Sequence, residues 1–184
     1  MRLLACAGVV LGGLLSIGAQ AAEPLLLIHG GAGVAPGDLD AAGEARARAA
    51  LRQALLAGHA RLQAGEPAME AIVVAIQVLE DDPSFNAGHG AVFTHDGRNE
   101  LDASIMDGAS GMAGAVAGLR RVRNPITLAR AVMEKSPHVM MVGEGAEQFA
   151  ATQDITLVDP SYFRTEHRWQ QLQRPQQQRL LSIP

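Results

Sequence analysis

The stretch Pro83-Ser84-Phe85-Asn86-Ala87-Gly88-His89-Gly90-Ala91-Val92-Phe93 joins a long helical pattern upstream to a run of short strand patterns downstream. Before it, apolar residues recur at helical spacing. After it, they alternate as in strands. A chain that switches period in this way has to lay helices on a sheet, and the joint is a loop. Gly88 and Gly90 permit backbone conformations that a Cβ disfavours. Asn86 places among them an amide that both donates and accepts. Such a loop can wall a site, or it can only turn the chain.

Upstream, residues 38–65 read as a long helix of good helix formers, with Leu51, Leu55 and Leu62 on one face and Gly65 as its stop. A second helix opens at Glu66-Pro67. Its stripe of Met69, Ile72, Val73, Ile76 and Leu79 marks a buried face. Glu80, Asp81 and Asp82 follow at the helix C-terminus, where the macrodipole disfavours acids. They fit either a solvated acidic turn or a bound cation. At the front, residues 25–28 are a short apolar run that predicts a buried strand.

Downstream, Asp96-Gly97 predicts a hairpin turn. Leu101, Ala103 and Ile105 then alternate with Asp102, Ser104 and Met106. Residues 113–122 are a strand of small residues. Asn124-Pro125 predicts a helix start with Ile126, Ala129, Val132 and Met133 inward. A strand over 138–142 and a helix through Ala150 complete an α+β layout. From Trp169 the chain is crowded with glutamines and contains Pro175, which predicts a helix end fraying into a linker.

Composition excludes some functions. The 15 basic residues are scattered, without a basic stripe or interleaved aromatics, so nucleic acid is not an expected partner. Aromatics make up 3% of a chain that is 48% hydrophobic, so the core must close by backbone approach between small residues. Arg2, the apolar run that follows and Ala19-Gln20-Ala21 read as a cleaved signal peptide over residues 1–21, rather than a membrane anchor. Cys6 lies too early for a lipoprotein box. It is the only cysteine and would leave with the leader, so the mature chain has no thiol chemistry. The expected location is bacterial, periplasmic or secreted, with no membrane association once the signal is cut.

A search for chemistry finds loops without a nucleophile. His29-Gly30-Gly31-Ala32-Gly33 is not a dinucleotide fingerprint, because Pro36 stands where the third glycine is required. It is not supported as the oxyanion loop of an α/β-hydrolase either. No G-x-S-x-G elbow exists, and Gly108-Ala109-Ser110-Gly111 is one residue short. The six histidines are scattered. No His/Cys ligand cluster appears.

Four motifs taken in order carry a resemblance: His29-Gly30-Gly31-Ala32-Gly33, Phe85 to Phe93, Glu100-Leu101-Asp102-Ala103-Ser104-Ile105-Met106-Asp107-Gly108, and Ser136-Pro137-His138-Val139-Met140-Met141 with Gly143-Glu144-Gly145-Ala146-Glu147. Together they resemble the plant-type asparaginase, or isoaspartyl peptidase, family of N-terminal-nucleophile hydrolases, over about residues 25–169. The resemblance implies an αββα sandwich of which this chain supplies an incomplete, α-chain half. It divides the chain into the signal peptide, an α-subunit part over 22–168 and a Gln-rich linker over 169–184. It also implies a precursor that cuts itself, leaving an N-terminal threonine on a β subunit as the nucleophile. None of Thr94, Thr127, Thr152, Thr156 and Thr165 sits in the family's Gly-Thr-Val-Gly cleavage motif, so the nucleophile is expected on that β subunit. The implied partners are the β subunit of the same precursor, an (αβ)2 assembly and a small β-aspartyl substrate.

By position, Asn86 matches a supporting asparagine beside the nucleophile. His29, Gly30, Gly31, Ala32 and Gly33 match a mobile glycine loop near the cleavage site. The carbonyls of Leu79, Glu80, Asp82, Phe85, Ala87 and His89 match a sodium-binding loop, with a structural sodium ion and no cofactor for the chemistry. A truncated, non-catalytic fragment and a glycosylasparaginase-like hydrolase are the alternatives.

Overall fold

A computed structural model describes residues 23–31 and 39–181, with side chains described through residue 174. The signal-peptide expectation, Ala32 and Gly33 therefore lie outside the described residues.

Two antiparallel helices open the fold. α1 spans Ala41–Gln63 and α2 spans Ala68–Asp81. Asp40 caps α1, its carboxylate accepting the Gly43 N–H at 2.6 Å. The face that α1 buries is Gly43, Ala50, Ala54 and Gly58. The expected leucine face is thereby corrected: Leu55 is 36% exposed. The reason is distance. A Cβ on Gly58 would lie 2.8 Å from the Ala71 carbonyl oxygen and 3.3 Å from the Ala75 Cβ. Helices that close can meet only through their smallest residues.

The sheet has the order β1-β2-β3, from β1 (Leu101–Met106), β2 (Ala113–Leu119) and β3 (Met140–Val142). β1 and β2 are antiparallel, while β2 and β3 run parallel across the helix α3 (Pro125–Lys135). One sheet face, with Leu101, Ile105, Val116 and Leu119, is buried in the same core as Ile126, Ala129 and Val132 of α3. Gly114 of β2 sits so close to α3 that a Cβ there would collide with the Ala129 carbonyl. The alternation expected for β1 is therefore present. The other face is open, with Met106, Met140 and Val142 exposed.

After β3 come α4 (Gly143–Thr152), a 3-10 turn over Pro160–Phe163 and α5 (Glu166–Leu181). Two sequence expectations are corrected here. The Gln-rich stretch is helical as far as Leu181 rather than frayed. Arg168 and Trp169 anchor the start of α5 onto the body of the fold. Residues 25–28 form no strand, because no described strand lies beside them to complete a ladder, and Leu25 and Leu27 are exposed. Leu26 and Ile28 instead border an apolar cleft with Ile72, Ile76 and Leu79. The hairpin turn at Asp96-Gly97 is present, but its first arm is reduced to a single bridge between Phe93 and Asn99. Among the described residues, no helix is long and apolar enough to cross a membrane.

Candidate functional site

The loop leaving α2 folds back on the helix end. Gly88, at φ 51°, packs on Glu80 so closely that a Cβ would collide with the Glu80 carbonyl. A Cβ on Gly90 would collide with the Phe85 carbonyl. Both positions therefore require glycine, and the loop packs tightly against the helix end.

Three buried polar groups fix this loop. The Arg168 guanidinium donates through Nε to the Gly90 carbonyl at 2.8 Å. Burial lowers its affinity for its proton. Asn99 donates through Nδ2 to the Ala91 carbonyl at 2.8 Å. Glu80 accepts the Ile126 N–H at 2.9 Å through Oε1, and so caps α3 from the end of α2. Asn124, expected as that cap, instead donates to Asp81 at 3.3 Å. Glu80 Oε2 is buried without a partner. Burial pushes the Glu80 carboxyl up to about 8, against the pull of the Ile126 N–H and the Asn124 side chain. Sequence reasoning missed Arg168, Asn99 and the Glu80 side chain, because each acts across the fold on a backbone group that no local pattern reveals.

The three acids at the helix end have separate protein partners. Asp81 pairs with Arg123 at 3.2 Å and accepts from Tyr162 at 3.4 Å. Asp82 accepts the Ser84 N–H at 2.8 Å. Glu80 is the cap. Their side chains therefore need no cation to explain them.

The structure brings two of the expected site segments together. A Cβ on Gly31 would lie 2.8 Å from Asn86 Oδ1, and one on Gly30 would lie 3.3 Å from the Phe85 ring. His29 Nδ1 accepts the Gly31 N–H at 3.1 Å, which fixes the turn. Phe85 is buried as an anchor while Asn86 is exposed beside Gly31. His89 is turned the other way, its ring 4.8 Å from that of Tyr162.

The donor set for a cation can be judged from the same backbone. Among the described residues no group of three or more His, Cys, Asp or Glu side chains could hold a metal. Only carbonyls remain. The carbonyls of Leu79, Asp82 and Ala87 accept N–H groups at 3.4, 3.3 and 3.1 Å, which leaves each a second lone pair. Carbonyl oxygens near a helix C-terminus suit a hard cation in donor type and in sign of charge.

Comparison with known proteins gives the family. The family model described as Asparaginase matches residues 22–182. This chain belongs to the asparaginase family. It is 48% identical to the isoaspartyl peptidase of Salmonella typhimurium over 151 residues, covering 82% of this chain and 48% of that protein. To the plant-type L-asparaginase of Pyrococcus abyssi it is 45% identical over 147 residues, covering 80% and 47%. To the isoaspartyl peptidase/L-asparaginase of Rattus norvegicus it is 41% identical over 152 residues, covering 82% and 44%. The chain thus spans about half the length of the curated relatives it matches.

Proposed function

We propose that this chain is the α portion of an isoaspartyl peptidase/L-asparaginase. It would form one wall of a site whose nucleophile is the N-terminal threonine of a β subunit from the same precursor. The observation that carries this reading is the meeting of Gly31 and Asn86, two segments more than fifty positions apart in sequence, on an exposed edge of the fold.

The chemistry is acyl transfer. The threonine Oγ attacks the side-chain carbonyl carbon of a β-aspartyl amide or isopeptide. Its proton passes to the threonine's own α-amine, whose pKa of about 8 suits a base near neutrality. The amine leaving group takes that proton and departs, which leaves an ester on the threonine. Water then attacks the ester, releases aspartate and regenerates the hydroxyl. Asn86 is a positioning residue in this scheme. Its exposed amide orients the incoming threonine, and the His29 to Gly33 loop closes beside it. The oxyanion donors and the clamp for the substrate carboxylate come from the β subunit. A sodium ion held by the carbonyls of Leu79, Glu80, Asp82, Phe85, Ala87 and His89 would fix the loop that carries Asn86, without entering the reaction.

The second layer of the proposed αββα sandwich covers the open sheet face of Met106, Met140 and Val142, and two such αβ units assemble as (αβ)2. Arg2, the apolar run and Ala19-Gln20-Ala21 support export to the periplasm or beyond. This chain alone is expected to be inactive. The test is intact-mass and N-terminal analysis of the protein purified from its own gene. A co-purifying second polypeptide that begins with threonine supports the reading. A single polypeptide, or a partner with another first residue, contradicts it.

A further inference from the structure

We propose that a second site, apart from the edge where Gly31 meets Asn86, binds a small dianion through arginine side chains. The cleft lies between the hairpin turn, the end of β2 and the 3-10 turn at Pro160. It measures about 390 Å³, and Arg98, Arg120 and Arg164 are among the residues that line it. That volume suits a small ligand.

Three segments distant in sequence each deliver one guanidinium, in a chain whose net charge is -4. Arg120 is paired with Glu100 at 2.8 Å. Arg98 and Arg164 have no ion pair with any described acid. Arg164 is oriented by aromatic rings instead. Its guanidinium carbon lies 4.2 Å from the centroid of the Trp169 ring and 5.9 Å from that of Phe93. Stacking of that kind fixes the plane of the guanidinium while leaving its N–H edge available to an oxyanion. Acids flank the cleft, and Glu147 accepts the Arg120 N–H at 2.6 Å. Asp159 accepts the Ser161 N–H at 2.9 Å, and Asp96 contacts His95 at 3.2 Å. The residues that line the cleft thus include three arginines and no aspartate or glutamate. Arginine keeps that charge at every physiological pH and matches carboxylate or phosphate oxygens two at a time. The chemistry recognised is a compact dianion, either a dicarboxylate or a phosphate.

The test is calorimetric titration of the whole protein, as its gene encodes it, with succinate and separately with inorganic phosphate, at ionic strength matched with sodium chloride. Saturable binding of either probe is expected, and the tighter one names the source. Arg98→Gln removes an exposed charge and disturbs no ion pair. It should weaken binding at least tenfold while the melting temperature stays unchanged. Arg164→Lys keeps the charge but loses the fork, and should fall between that variant and the parent. Arg46→Gln, outside the cleft, should bind as the parent does. No saturable binding of either probe overturns the proposal, as does unaltered binding by Arg98→Gln.

Discussion

Among the described residues, Glu80 holds a buried side-chain oxygen that has no hydrogen-bond partner. It is 3% exposed, gives one oxygen to the N-terminus of α3, and leaves the other without a partner. Its folded pKa of about 8 stands above the 4.5 of a free glutamate, the reverse of the usual carboxylate case. The sign follows. Below about pH 4.5 both folded and unfolded states hold the proton, and the group costs nothing. As pH rises from there to about 8 the unfolded chain releases the proton and the folded one retains it, so stability falls. The slope from this one group approaches about 1.4 kcal/mol per pH unit. Glu80→Gln should therefore flatten the stability profile across that window. Urea melts of the whole protein, as its gene encodes it, at several pH values in sodium-free buffer check it. An unchanged slope would show that Glu80 ionises in the folded protein.

At the scale of elements, the contact between α1 and α2 rests on small residues. Ala54 is fully buried between the helices while Leu55 lies outside. Ala54→Leu should cost about 1–3 kcal/mol through overpacking. Leu55→Ala, at a partly exposed position, should cost less than about 1 kcal/mol. Thermal melts of the two variants, made in the whole protein as its gene encodes it, measure the difference, and equal losses would contradict the close approach. This pair also shows where the sequence was legible. The boundaries of both helices, the alternation of β1 and the inward face of α3 all follow from period and capping, which act locally. The buried face of α1 does not, because a hydrophobic period favours leucines where the packing distance admits only alanine and glycine. Residues 25–28 look like a strand, but a strand exists only beside a partner. The Gln-rich stretch looked like a linker because its composition carries no record of Arg168 reaching Gly90. The candidate site was legible as two loops in the sequence. That Gly31 meets Asn86 is a tertiary fact.

For the whole molecule, the unequal treatment of the two sheet faces dominates. One is sealed by α3, and the other presents Met106, Met140 and Val142, at 63, 53 and 60% exposure, as an apolar surface. An open apolar face beside unpaired strand edges favours aggregation. The isolated 184-residue chain should therefore aggregate or melt without a sharp transition. Val142→Asp should improve its solubility and weaken its association with the β portion by about tenfold or more, a charge at the centre of an apolar contact being costly to bury. Light scattering and co-purification read the two effects. A soluble variant that still binds the β portion with unchanged affinity would place the contact elsewhere.

The most direct test of this account is the release of aspartate from a β-aspartyl dipeptide, measured for the 184-residue chain alone and for the same chain assembled with its β portion. The account predicts no release from the chain alone, release from the assembly, and a loss of turnover on Asn86→Ala that leaves the assembly intact. Release by the chain alone, or none by an assembly that carries an N-terminal threonine, would contradict it.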